Sequence, residues 1–427
     1  MTGLLLPSDQ DLLLRLLRTP TISPLEAGDG EPAAQLWQAQ TLYAEAAQAI
    51  GFRTARHDCA RPADVLRDDV PAAVREAAGT PGFLAGQPSL VLRLGRALPF
   101  GATIMFNVHL DTVAGFEPVS FDGRRFTGRG AIDAKGPAVA LLAGVRQAIQ
   151  LSPAVGREIG VILQVVSGEE GGALGTIGTR RLVAAGFHGR LNIFCEPTGM
   201  RYLTRATAAM TARVRVAGQG AIDDRPEAGH NATVLLGFLA QYLAATLGGR
   251  FCVAGLHTGD QHNRVYGTGQ LLLNLPYESS AEGRELAARV ERVYHAGLAE
   301  FAAKFGGTQV FGRTAADAAE ITRLDWLKIG LPCLDGGDRW AENLLTTQAG
   351  VAAWGSDEQA FTCDAIWMDG VPGAFTAVLG PGSLDGNNAH AAGEYAELAE
   401  LEEFAAAVSR ILLAFARVRA PAVKGTP

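Results

Sequence analysis

The sequence predicts an α/β fold with a mostly parallel central sheet, interrupted by a smaller α+β insertion. Three observations carry that expectation: short apolar runs rich in β-branched residues end abruptly in polar or charged side chains, helical patterns separate those runs, and the texture changes between about residues 205 and 320. At 427 residues the chain exceeds the size at which a single hydrophobic core stops growing, which favours two domains. The expected division gives residues 1–204 and 321–427 to one domain and inserts 205–320 between them.

The elements follow in chain order. Leu12 to Leu17 reads as the buried stripe of a first helix, and Asp9, Asp11 and Arg15 break the N-terminal apolar stretch before a signal-peptide core or a membrane span is completed. The run from Thr103 to Val108 leads into His109. That from Ile159 to Val166 leads into Ser167, Gly168, Glu169 and Glu170, and that from Leu191 to Cys195 leads into Glu196. Phe375 to Leu379 runs into Gly380, Pro381 and Gly382, with His390 soon after. In the insertion, the alternation from Thr211 to Val216 and the run from Gln270 to Leu275 predict strands. Asn231 to Leu247 and Ala281 to about Phe305 predict helices. A loose stretch containing Pro and Asp separates Ala60 from Gly86.

Composition narrows the partners. Apolar residues make up 48% and charged residues 19%, as in a packed globular protein. A net charge of -7 leaves no electrostatic footprint for nucleic acid or an anionic membrane, so a small-molecule substrate is the expected partner. No stretch reaches the roughly 20 apolar residues of a bilayer span. The five cysteines are scattered and never form a C-x-x-C pair, which argues against a disulfide framework or zinc ribbon and fits a cytoplasmic protein.

Ligands of open α/β sheets bind beyond the carboxyl ends of the strands, so four such ends bearing metal-type side chains are expected to converge. His109 ends one strand, and Asp111 is spaced to take its second N–H, the usual device for fixing a metal-bound imidazole. A buried histidine beside an N-capping aspartate would look the same. Asp133 lies in a glycine-flanked turn, and one carboxylate can bridge two cations; the competing reading is a hairpin with an exposed Asp. Adjacent residues of an extended segment point opposite ways, so Glu170 can bind a metal while Glu169 stays free as a general base, unless the pair is only a solvated turn. Glu196 and His390 complete a set of two imidazoles and three carboxylates. That set suits two divalent cations, Zn²⁺ foremost with Mn²⁺ or Co²⁺ as alternatives.

Five segments together resemble a known family: HLDTV (His109 to Val113), GRGAIDAKG (Gly128 to Gly136), SGEEGG (Ser167 to Gly172), EPTG (Glu196 to Gly199) and GPGSLDGNNAH (Gly380 to His390). They resemble the dinuclear zinc metallopeptidases and amidohydrolases typified by acetylornithine deacetylase, succinyl-diaminopimelate desuccinylase, glutamate carboxypeptidase and aminoacylase. The resemblance implies a zinc-exopeptidase-like catalytic domain, with a small inserted lid through which two copies form a homodimer. It implies that Asp133 bridges the metals, that Glu170 and His390 complete one site, and that His109 and Glu196 complete the other. The implied activity is hydrolysis of an amide in a small N-acylated or peptide-like substrate, with Glu169 relaying the proton of the attacking water and Asp111 supporting His109. A dipeptidase or carboxypeptidase, and a noncatalytic ligand-binding descendant, remain as alternatives.

Two departures bear on the substrate. Relatives carry a lid histidine where GQGAIDDRPEAGHNA (Gly218 to Ala232) has Ile222, and losing one oxyanion donor costs about two to three powers of ten in turnover. His230, His262 and Asn263 are candidates to replace it. Ile366 stands where many relatives have an arginine that grips a substrate carboxylate, and Asn274-Leu275-Pro276 replaces a second arginine pattern. Arg264 or Arg339 is then left to read a carboxylate, if the substrate has one.

Overall fold

Six strands build the sheet of the first unit, in the order Phe52–Cys59, Pro88–Leu94, Gly160–Val166, Thr103–His109, Leu191–Phe194, Phe375–Val378. The computed structural model describes residues 3–418; this unit comprises the chain through Arg67, Ala73–Ala206, and the chain from Leu334 onward. The last four strands pair in parallel, and only Pro88–Leu94 runs against its neighbours. Gly160–Val166 and Thr103–His109 are buried at every residue, which explains their nearly continuous apolar sequences. Their polar members satisfy one another: Asn107 donates to Gln164 Oε1 at 2.8 Å, and Gln164 donates to the Phe187 carbonyl at 2.8 Å.

The helices Lys135–Leu151 and Leu398–Arg417 pack against each other. Gly144 permits that approach, because a Cβ there would lie 2.4 Å from the Ala405 carbonyl oxygen. The helix Pro7–Arg18 buries Leu12, Leu13, Leu16 and Leu17, each contributing about 1.5–3 kcal/mol on leaving water. Lys135, buried at the start of its helix, donates to the carbonyls of Leu16 at 3.0 Å and Thr19 at 3.1 Å and so closes the end of that first helix. Burial pushes its ammonium down to about 7.

The second unit comprises Asp68–Ala72 and Thr207–Cys333. Its antiparallel sheet has the order Cys252–His257, Thr268–Tyr277, Ala208–Ala217, Thr322–Lys328. Ala208, Met210, Ala212, Val214 and Val216 are buried in alternation, as a half-covered strand requires. The helices are Ala232–Leu247, capped by the Asn231 side chain, Ser280–Phe305, capped by Ser279, and Gly312–Ile321. The boundary expected at residue 320 falls too early. Thr322–Lys328 is the fourth strand of this sheet, and its charged, half-exposed residues conceal it from a hydrophobic pattern. Within the first unit, Arg205–Ala206 pairs with Leu334–Asp335, so the segments flanking the second unit lie side by side. Among the described residues, no helix is long and apolar enough to cross a membrane.

Candidate metal centre

His109 closes the strand Thr103–His109 and is fully buried. Its Nδ1 donates to the backbone carbonyl of Asp111 at 2.9 Å, which leaves Nε2 facing Asp133 Oδ1 at 2.9 Å. A carbonyl only accepts, so Nδ1 carries the proton and Nε2 of the neutral ring meets a carboxylate lone pair with its own. A proton or a cation must reconcile the two acceptors. The Asp111 carboxylate does not take the role expected of it: its nearer oxygen is 3.7 Å from Nδ1, because the turn after the strand presents the carbonyl instead. Asp111 Oδ2 accepts the Glu170 backbone N–H at 3.0 Å and so orients a different expected ligand.

Asp133 stands between the two histidines. Oδ1 faces His109, and Oδ2 lies 3.1 Å from His390 Nε2. The same His390 nitrogen lies 3.0 Å from Glu170 Oε1, and His109 Nε2 lies 3.8 Å from Glu196 Oε2. Glu170 Oε1 is buried without a hydrogen-bond partner among the described residues, close to His390 but out of line with a donor. His109, Asp133 and Glu170 each offer a ligand atom within 4.8 Å of the others. The structure thus brings all five expected ligands together. A buried set of imidazole and carboxylate lone pairs with an orphaned oxygen fits divalent cations.

The local sequence explains this placement. Gly168 adopts φ +78°, and a Cβ there would meet Ile177 at 2.4 Å, so only glycine serves at the turn that delivers Glu169 and Glu170. His390 itself has φ +62°, which aims its ring back at Asp133 from the loop after Phe375–Val378.

Crowding of charge sets the proton affinities. Burial works against a charged His109, yet the hydrogen bond to Asp133 and the negative charge of Glu196 outweigh it and hold the ring well above its ordinary range. Asp133 is depressed despite burial, because both imidazoles bond to it. His390 is pushed up to about 10 by Asp133 and then by Glu170. Burial raises Glu170 to about 7, and burial followed by the charge of Glu170 raises Glu169 well above its ordinary range. Burial likewise raises Glu196. Cations held among these oxygens would reverse the upward shifts.

Sequence reasoning assigned no role to two carboxylates, Glu394 and Asp364. Glu394 is buried and accepts from Arg129 at 2.8 Å and from the backbone N–H groups of Gly130, Ile132 and Asp133 at 3.1, 3.1 and 3.2 Å. It therefore fixes the turn that carries Asp133. The signal was its position just beyond His390, but its partners lie far away in sequence. Asp364 is fully buried, accepts from Thr179 Oγ1, and is raised by burial to about 6. Its charge is felt by Glu169 and Glu196.

The remaining expected residues lie elsewhere. His262, Asn263 and Arg264 belong to the second unit, where all three are exposed; Arg264 pairs across a short ladder with Ile222, itself 57% exposed. Residues 220–224 and 263–268 line a cavity of about 710 Å³ there. His230 is not free to replace the lid histidine, since Nδ1 accepts from Gln219 N–H at 2.8 Å and Nε2 meets Asp317 at 3.0 Å. Ile366 is wholly buried, and Arg339 is exposed at the start of the helix Arg339–Asn343.

Comparison with known proteins bears on the family and the fold. No curated protein matches the sequence. Among solved structures, a tripeptidase from Staphylococcus aureus superposes with a TM-score of 0.67 at 15% identity, over 96% of this chain and 98% of that one. An M20 family metallo-carboxypeptidase from Sulfolobus solfataricus gives 0.68 at 11% identity, over 97% and 100%. A dinuclear metal-binding peptidase of the M20 family from Bacillus subtilis gives 0.61 at 10%, over 96% and 97%. At such identities the likeness concerns the fold. The sequence itself matches peptidase family M20/M25/M40 over residues 105–414, a span that contains every residue of the cluster. The chain belongs to peptidase family M20/M25/M40 and is a metal-dependent amide-bond hydrolase.

Proposed function

We propose that the protein holds two divalent cations, Zn²⁺ foremost with Mn²⁺ or Co²⁺ as alternatives, and removes an acyl or aminoacyl group from a small N-acylated substrate. The observation that carries this reading is the placement of Asp133, whose two carboxylate oxygens face two different imidazoles. His109 and Glu196 would hold one cation, His390 and Glu170 the other, and Asp133 both. Bound there, the pair would polarise the scissile carbonyl and lower the pKa of the attacking water.

The chain's own groups supply the rest. Glu169 takes a proton from the attacking water and gives it to the leaving nitrogen. Asp111 and Glu394 act as positioning residues through Glu170 N–H and the Asp133 turn. His262, Asn263 and Arg264 are the substrate-binding candidates on the second unit, supported by the cavity beside them. The buried Ile366 offers no guanidinium, which favours substrates without a carboxylate at that point. Two of the similar structures are named a tripeptidase and a metallo-carboxypeptidase, which supports a peptide-cleaving variant as the second reading.

The second unit is proposed as the dimerisation surface. Cys252–His257 is an edge strand, and its Val253 and Leu256 are each 39% exposed. The five cysteines form no disulfide, which supports residence in the reducing cytoplasm. A panel of acylated amino acids and dipeptides, assayed before and after dialysis against chelator, tests the reaction. Turnover should vanish with the cations and return with Zn²⁺, Mn²⁺ or Co²⁺. Hydrolysis that survives complete metal removal contradicts the proposal.

A further inference from the structure

After Gly168 the chain folds back and bonds to its own return. The Glu169 carbonyl accepts the Leu174 N–H at 3.1 Å, and the Gly168 carbonyl accepts the Gly175 N–H at 2.7 Å. Among the described residues the Glu169 carboxylate has no hydrogen-bond partner, so this backbone pairing sets where it sits. Leu174 has φ +49° and Gly175 φ +66°. A leucine in the left-handed region is strained and persists only where its neighbours hold it.

The turn Asp364–Met368 holds this return at two points. The Trp367 indole N–H donates to the Leu174 carbonyl at 2.6 Å, so Leu174 links Trp367 directly to the Glu169 backbone. Asp364 lies against Gly175, where a Cβ would come within 2.5 Å of its own, and only glycine allows that approach. Asp364 also accepts from Thr179 Oγ1, which accepts from Asn107 Nδ2 at 3.0 Å. Asn107 stands two residues before His109 on the same strand. Ala365 and Ile366, between the two points of contact, are wholly buried, and Arg180 lies over the Trp367 ring at 5.6 Å. The turn is thus a fixed support joined both to the loop of Glu169 and to the strand that ends in His109.

We propose that Trp367 and Asp364 are positioning residues that act on Glu169 through Leu174 and Gly175; this rests on Glu169 being the general base. A base must lie within hydrogen-bond reach of the proton it takes, and a shift of about 1 Å can cost about 100-fold in rate. The test is W367F in the zinc-loaded full-length protein, because phenylalanine keeps an aromatic ring there and removes the N–H. Its kcat should fall roughly tenfold, with KM and metal content unchanged. In an E169Q background the same substitution should cost less than about twofold, since no base is left to position. In metal-stripped W367F, amide exchange should quicken at Leu174 and Gly175. D364A should show the same split between kcat and KM. Wild-type kcat in W367F, metal lost from it, unchanged exchange at those amides, or an equal cost in the E169Q background overturns the inference. Wild-type turnover in E169Q alone overturns the assignment of the base, and this inference falls with it.

Discussion

In the first unit the strands Thr103–His109 and Gly160–Val166 are buried along their whole length and end at His109 and at the loop of Glu169 and Glu170, whereas in the second unit Ala208–Ala217 alternates buried and exposed residues and leads into no such group. The second unit keeps its strand charges where water reaches them. Arg213 and Arg215 pair with Asp325 at 3.2 and 3.5 Å across the sheet, in half-exposed contacts of the kind that add little to stability. The first unit gathers Asp133, Glu170 and Glu196 in its interior at a considerable desolvation cost. Burial of like charge that packing alone would not tolerate marks the first unit as the proposed seat of the chemistry, and substrate contact and assembly are proposed for the second.

The sharpest way to break that contrast is Glu169→Gln. It should lower kcat by about two to four powers of ten while elemental analysis still finds the wild-type metal content. Retained turnover would remove Glu169 from the reaction. Glu394→Gln comes next: with the charge that gathers the Gly130, Ile132 and Asp133 N–H groups gone, metal affinity in a competition titration should fall by about 10- to 100-fold. Unchanged affinity would mean that the turn holds its shape unaided.

Acidity separates the units as well. Glu170, raised from 4.5 to about 7, and His390, raised from 6.5 to about 10, both bind protons more tightly in the folded chain than in the unfolded one. The stability they contribute is complete below those ordinary values and is lost as pH rises through about 7 and then about 10. Asp133, depressed from 3.8, acts the opposite way and only in more acid solution. Metal-stripped protein should therefore melt at a lower temperature at pH 9 than at pH 6. Added Zn²⁺ should reverse the trend, since protons and cations compete for the same ligands. A melting temperature that rises with pH in the stripped protein would contradict the shifts. The smallest effect belongs to the second unit. Ile222→Ala should change kcat/KM by roughly tenfold or less and leave metal content alone. A loss of metal would put Ile222 in the wrong unit.

Much of this was legible in the sequence, for a physical reason. A strand buried on both faces is a continuous apolar run, so an ionisable residue at its end stands out, and His109, Glu170 and Glu196 were found that way. What stayed hidden depends on contacts distant in sequence. Glu394 binds groups 261 to 265 residues away, and no local pattern announces that. The spacing of His109 and Asp111 was right, but spacing does not distinguish the carbonyl of Asp111 from its carboxylate, and the carbonyl takes the N–H. Thr322–Lys328 escaped because a half-exposed strand with charges on it carries little apolar signal.

Anomalous diffraction at the zinc edge, from crystals of the full chain grown with Zn²⁺, tests the centre most directly. Two peaks are expected, one beside His109 and Glu196 and one beside His390 and Glu170, each about 2.0–2.2 Å from a different oxygen of Asp133. A single peak, or a pair of which neither touches Asp133, would contradict the account.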